Sequence, residues 1–249
     1  MPASPLAPPD WTLPDLAGLI DHALLAPTLT DADYDRGCDL AAAYEIASVC
    51  VSPHGIPRVA RRLAGTGVKV GTVIGFPHGL HATPTKAAEA ETALADGAVE
   101  LDMVVNVSRV LSGDWDYVAR DIAAVTSAAR SVGAKTKVIF ETGYLDDAQK
   151  AKLCAICGVA EADWVKTSTG FGPGGATDHD LELMKTHAPP GVEVKASGGI
   201  KTLDRLLEVR AIGVTRVGMS GTAAVLGDAC DRLGLPRRWS EASNGGGSY

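Results

Sequence analysis

Apolar residues along the chain gather into eight short β-rich runs, separated by stretches in which apolar positions recur at helical spacing. The runs cover residues 19–23, 45–51, 68–76, 99–106, 136–142, 164–167, 192–196 and 215–218. They return at intervals of roughly 25–30 residues, the alternation expected of βα units around a parallel sheet. Several are almost continuously apolar, which predicts strands covered on both faces. Helix ends are legible between them. Thr83 is placed to cap a helix with Pro84 at its first position, the body from Lys86 to Asp96 is rich in Ala and Glu, and Gly97 is placed to end it. Val118, Ile122, Val125 and Ala129 share one face of the next helix, which stops near Gly133; Leu203, Leu206, Leu207 and Arg210 outline the helix after the seventh strand.

Eight such units predict an α/β fold, a single (β/α)8 TIM barrel. An open doubly wound sheet uses the same alternation, but no Gly-x-Gly-x-x-Gly follows the first strand. The expected organisation is a proline-rich N-terminal extension over residues 1–14, the barrel over 15–240 and a flexible glycine-rich tail over 241–249. For Tyr249 at the tip of that tail two readings stand: a lid that folds over the barrel mouth, or part of a disordered tail.

Charges inside buried strands are the informative residues, because an unpaired charge packed against helices costs several kcal/mol. In Glu100-Leu101-Asp102-Met103-Val104-Val105-Asn106 the period of two puts Glu100, Asp102 and Asn106 on one face, which should be the lumen. The same parity places Lys137 and Glu141 on one face of strand five, Lys166 at the end of strand six and Lys195 in strand seven. Lys166 and Lys195 would both reach the mouth, where this architecture builds its active sites. An ordinary lysine has a pKa near 10.4, so only about 1 in 2,500 is neutral at pH 7. An apolar wall and a second cation can supply the roughly 4.6 kcal/mol of bias needed to bring it near 7. The neutral amine then attacks a carbonyl to give a Schiff base, an electron sink for carbon–carbon bond chemistry, with Asp102 as proton shuttle. The alternative is that each lysine is half of a lumen ion pair with Asp102, Glu100 or Glu141. Glycine-rich turns follow strands six, seven and eight: Thr169-Gly170, Ser197-Gly198-Gly199 and Gly218-Met219-Ser220-Gly221. Backbone N–H groups in such turns form anion sites, so a phosphorylated substrate is expected.

Composition narrows the classes. With 46% hydrophobic and 21% charged residues in 249, the chain has material for a large core, in one domain or two. The 23 Lys and Arg against 30 Asp and Glu, a net charge of −7, argue against a nucleic-acid or anionic-membrane surface. The odd, scattered set of five cysteines, Cys38, Cys50, Cys154, Cys157 and Cys230, fits a reducing cytoplasm, and no signal peptide or membrane span is visible. Cys154 and Cys157 have redox-pair spacing but fall near the end of a helix, which favours packing; His78 and His81 lack a partner cluster and are expected to line or brace a loop.

The segments Val194-Lys195-Ala196-Ser197-Gly198-Gly199-Ile200, Asp163-Trp164-Val165-Lys166-Thr167-Ser168-Thr169-Gly170-Phe171, Glu100 to Asn106 and Val73-Ile74-Gly75-Phe76-Pro77-His78-Gly79 resemble the deoxyribose-phosphate aldolase family. Asp21-His22-Ala23 and Val49-Cys50-Val51 resemble the ends of its first two strands, and the likeness runs from about Asp21 to Gly227. The resemblance implies a lyase that reversibly cleaves 2-deoxy-D-ribose 5-phosphate to acetaldehyde and D-glyceraldehyde 3-phosphate, in deoxyribose phosphate catabolism, with no metal and no cofactor. It implies Lys166 as the Schiff-base lysine, Lys195 as the neighbour that depresses its pKa, and Asp102 as the relay acid. Cys50, Thr169, Gly170, Gly198, Gly199, Gly218 and Ser220 would contact substrate, and the chain would form a homodimer. Two departures stand out: Ala23 where the family usually has threonine, and Gly221 where a second serine is common. Competing readings are a phosphosugar isomerase or another lysine-dependent aldolase on the same barrel, and a catalytically silent phosphosugar-binding protein.

Overall fold

A computed structural model describes residues 10–239. Eight parallel strands close into one barrel in sequence order: β1 Ile20–Leu24, β2 Ser48–Val51, β3 Lys69–Ile74, β4 Glu100–Val104, β5 Lys135–Ile139, β6 Trp164–Lys166, β7 Glu193–Ser197 and β8 Arg216–Met219. The helices are α1 Leu13–Ala17, α2 Asp31–Tyr44, α3 Ile56–Leu63, α4 Thr83–Ala95, α5 Val107–Leu111, α6 Trp115–Ser131, α7 Asp147–Val159, α8 Asp178–His187, α9 Leu203–Ile212 and α10 Thr222–Leu233. Each predicted run overlaps one strand, and β8 closes on β1 with Asp21 opposite Gly218, so no sheet edge remains.

The apolar stripes of the helices pack on the outward faces of the strands. Val118, Ile122, Val125 and Ala129 of α6 and Leu203 and Leu206 of α9 are all buried, and Gly97, Gly133 and Gly213 follow their helices at positive φ. Buried ion pairs brace the ring. Lys86 of α4 meets Asp121 of α6 at 2.5 Å and Lys150 of α7 meets Asp180 of α8 at 2.6 Å.

Several local expectations are corrected. The boundary at residue 14 falls inside α1, because Thr12 caps a turn whose Leu13 and Leu16 join the core with Trp11. Ala82, not Thr83, precedes α4; the Thr83 hydroxyl is drawn across to Asp121 instead. Asn106 lies past the end of β4 and caps α5, its Oδ1 accepting from Arg109 N–H, so it leaves the lumen face. Cys154 and Cys157 are buried in α7, where burial pushes the Cys154 thiol up to about 12 and holds the Cys157 thiol well above its ordinary value, as for packing residues. The tail and Tyr249 lie outside the described residues.

Candidate active site

Strand register builds the site. Lys166 is the last residue of β6 and pairs with Lys195 on β7, so two ammonium groups rise side by side toward the mouth. On the facing wall Asp102 of β4 pairs with Lys137 of β5. One carboxylate oxygen, Asp102 Oδ2, accepts from both Lys166 Nζ and Lys195 Nζ at 2.7 Å, and Oδ1 accepts from Lys137 Nζ at 2.8 Å. Lys195 Nζ also lies 2.5 Å from Asp21 Oδ2. Each of these side chains is buried.

The electrostatics separate the two lysines. Burial lowers the Lys166 pKa, helped by the neighbouring Lys195 charge and opposed by Asp102, and the balance stays below the ordinary lysine value. Burial acts on Lys195 as well, but Asp102 and Asp21 together outweigh it and raise the pKa. Asp102 is itself desolvated, yet Lys137, Lys166 and Lys195 hold it well below the carboxylate range. The arrangement therefore sets an amine whose pKa is lowered beside one whose pKa is raised, with a single carboxylate oxygen bridging them. Such a set can deliver a neutral nucleophile and return a proton to the same locus.

The strand ends that carry the lysines are locked together. Thr167 Oγ1 donates to Ser197 O and accepts from Ser197 N–H, while Ser197 Oγ donates to Ser168 O. Cys50, on β2, is buried at the same depth; burial, with the Asp102 charge, pushes its thiol up to about 11, so it is a neutral wall.

The remaining predicted positions divide. Gly170, Gly198 and Gly199 adopt positive φ in the turns above β6 and β7, which only glycine adopts without strain. Ser220 is exposed just before Gly221, the residue that opens α10. Gly218 is not a turn residue. It sits within β8 opposite Ser197, and a Cβ there would lie 3.1 Å from Ser197 Cβ and 3.3 Å from Lys195 Cε, so its role is to leave room for Lys195. Thr169 has its donors engaged by Glu141, to which both its N–H and its hydroxyl donate. Glu141 lies two residues beyond β5 in the left-handed region, and reaches Thr169 rather than a lumen lysine. A cavity of about 440 Å³ opens beside the mouth, lined by Glu141, Phe171, Leu80 and Tyr144 among others, with His78 on its wall.

Sequence reasoning missed Asp21, Ser48 and Arg216. Ser48 Oγ donates to Asp21 at 2.6 Å, and Arg216 bonds both Asp21 Oδ1 at 2.7 Å and Glu100 Oε2 at 2.5 Å. The signal was present: an Asp and an Arg sit inside runs one and eight, at the positions where buried strands tolerate no free charge.

With this geometry in hand, similarity to known proteins is informative. Residues 16–226 match the model of the DeoC/LacD family aldolases. The chain is 56% identical over 227 residues to a deoxyribose-phosphate aldolase of Rhodopirellula baltica, covering 91% of this chain and 94% of that one. A deoxyribose-phosphate aldolase of Thermococcus gammatolerans is 45% identical, with 85% and 95% covered. Among solved structures, a tetrameric deoxyribose phosphate aldolase from Aeropyrum pernix superposes with a TM-score of 0.82 at 33% identity, covering 88% of this chain and 92% of that one. The chain belongs to the DeoC/LacD family of aldolases.

Proposed function

We propose that this protein is a deoxyribose-phosphate aldolase acting through a Lys166 Schiff base, on 2-deoxy-D-ribose 5-phosphate in the cleavage direction. The neutral Lys166 amine adds to the C1 aldehyde, and loss of water gives an iminium. The iminium draws in the C2–C3 bonding pair as the C3 hydroxyl loses its proton, releasing D-glyceraldehyde 3-phosphate and leaving an enamine. Protonation of the enamine at C2 and hydrolysis of the resulting iminium release acetaldehyde and restore Lys166. Lys195 and Asp102 carry the protons: Lys195 is the ammonium beside the reacting nitrogen that donates and regains one, and Asp102 links the two amines through one oxygen.

The observation that carries the reading is that shared oxygen, with two lysines of adjacent strands on it and opposite pKa directions imposed on them. An isomerase needs no paired lysines, and a binding protein needs no lysine held ready to lose its proton. The phosphate is assigned to the N–H groups of Gly170, Gly198 and Gly199 and to Ser220 at the start of α10, with Cys50 and Thr169 as walls. Gly218 acts from beneath, through Lys195. We assign no metal or cofactor to the reaction, since the iminium supplies the electron sink. The expected assembly is a homodimer in the cytoplasm, in keeping with five free cysteines; among the described residues no helix is long and apolar enough to cross a membrane.

The direct test is turnover. Wild-type protein should release aldehyde from 2-deoxyribose 5-phosphate, and Lys166→Leu should lose several orders of magnitude. Conversion of the substrate to another phosphosugar without aldehyde release would favour the isomerase, and binding without turnover would favour the silent receptor.

A further inference from the structure

Beneath Lys166 the lumen is a column of alternating charge that runs to the barrel floor. Arg216 opens β8 and Glu100 opens β4, so both lie at the end of the barrel opposite the mouth. Glu100 Oε2 accepts from Arg216 at 2.5 Å and from Lys137 Nζ at 2.6 Å. Arg216 also holds Asp21, which in turn holds Lys195. Lys137 completes the circuit back to Asp102. The Arg216 guanidinium and the Lys137 ammonium both face the Trp164 ring, at 5.3 and 5.6 Å from its centre.

Counting charges along this circuit gives three carboxylates, Asp21, Glu100 and Asp102, against four basic groups, Lys137, Lys166, Lys195 and Arg216. Fully ionised, the column carries one uncompensated positive charge in a buried site. Loss of one proton makes it neutral. Arg216 cannot be the donor, because a guanidinium does not deprotonate in proteins. Lys137 contacts Glu100 and Asp102 and has Asp21 within 3.7 Å; Lys195 contacts Asp21 and Asp102. Among the described residues, Lys166 pairs with Asp102 alone. The other groups near it do not change the count. The Cys50 thiol of β2 stays protonated, and Glu141, past the end of β5, bonds Thr169 in the turn after β6 and none of the four basic groups of the circuit, so its charge lies outside the column.

We propose that Arg216 and Glu100 are positioning residues that set the pH at which Lys166 gives up its proton: Arg216 supplies the fourth positive charge and favours the loss, and Glu100, which also holds Lys137 at the floor, opposes it. The proposal rests on the reading of Lys166 as the nucleophile. It predicts signed effects of similar size, because the Arg216 and Glu100 charges touch at 2.5 Å, and Arg216, in register with Lys166 through Lys195, stands two strands away. At about 4.8 Å per strand that is roughly 10 Å from Lys166, where one unit charge in an effective dielectric of about 20 moves a pKa by about one unit.

The experiment is the pH dependence of kcat/KM for cleavage of 2-deoxyribose 5-phosphate, read at its acid limb, where Lys166 loses its proton. Arg216→Met removes a positive charge, so Lys166 holds its proton to higher pH; the limb should move up by about one unit, with about tenfold less activity below it. Glu100→Gln removes a negative charge and should move the limb down by a similar amount. Arg216→Lys keeps the charge and should leave the limb in place, and Glu100→Gln combined with Arg216→Met should bring it back toward wild type. Either single variant tests the sign by itself, so failure of the other to fold does not remove the test. A merely structural role would lower activity at every pH with the limb unmoved; that result, or movement of both limbs in one direction, overturns the proposal. Borohydride reduction with substrate in the wild-type protein separates the two levels. Labelling of Lys166 with unmoved limbs defeats this proposal and leaves the nucleophile standing, whereas absence of label on Lys166 defeats both.

Discussion

Lys86→Met isolates the brace that holds the β3 and β4 side of the site. The Lys86 and Asp121 side chains are 0% and 1% exposed, and Lys86 Nζ donates to Asp121 at 2.5 Å and to the Val104 carbonyl, at the end of β4, at 2.9 Å. Its stem runs under Gly75, where an added Cβ would lie 2.8 Å from Lys86 Cε. Methionine fills almost the same volume, so the substitution removes the charge without opening a cavity. Among the described residues, Asp121 is then left buried with the Thr83 hydroxyl bond, at 2.8 Å, as its remaining side-chain partner. Breaking a buried pair by removing one partner costs about 3–5 kcal/mol, because the remaining charge has no compensation. For a chain of 249 residues, at about 2–4 °C per kcal/mol, Tm should fall by roughly 6–20 °C. Denaturant unfolding followed by far-UV circular dichroism measures the loss, with the m-value confirming that the unfolded state is unchanged. Adding Asp121→Asn to Lys86→Met removes the orphaned charge and should recover most of the stability. A single variant within about 1 kcal/mol of wild type, or a double variant no better than the single, would refute the reasoning.

Other consequences follow from the same structure. His22 is buried against Thr222, its Nδ1 2.9 Å from the hydroxyl, and burial lowers its pKa from 6.5 to about 4. The folded state therefore keeps His22 neutral while the unfolded chain protonates it. Stability should be full above pH 6.5 and fall by about 3 kcal/mol as pH drops from 6.5 to 4, and His22→Asn should flatten that part of the pH–stability curve. Asp102→Asn preserves shape but removes the charge shared by three lysines; kcat should fall by roughly 10²–10⁴ with KM within a few-fold, and an intact kcat with raised KM would contradict the relay. Gly218→Ala should displace Lys195 through the 3.3 Å approach to its Cε, lowering kcat by on the order of tenfold to a hundredfold with a cooperative unfolding transition retained.

Much of this was legible in the chain because a closed parallel barrel writes itself as buried runs. The eight apolar segments located all eight strands, and the few charges inside them located the lysines and Asp102. Three of the runs overstate strand length: residues 75–76, 105–106 and 140–142 continue the run past the ends of the ladder at Ile74, Val104 and Ile139, because the chain there stays largely buried although it has left the sheet. Asn106 and Thr83 were misplaced because a polar residue beside a helix start reads alike whether it caps, pairs across or faces the lumen. Asp21 and Arg216 were the harder loss. Their charges could be seen, but the bond between them spans 195 positions and exists because β8 closes on β1, which the local pattern of neither run contains. Gly218 illustrates the same limit, since a glycine that accommodates a neighbouring lysine looks in sequence like one that makes a turn.

The central claim is that Lys166 is the nucleophile, and borohydride reduction in the presence of 2-deoxyribose 5-phosphate or acetaldehyde, followed by peptide mapping, tests it most directly. The account predicts a two-carbon or five-carbon adduct on Lys166 and none on Lys195, whose pKa is raised by Asp102 and Asp21 against burial. An adduct confined to Lys195, or no adduct under conditions of full turnover, would contradict it.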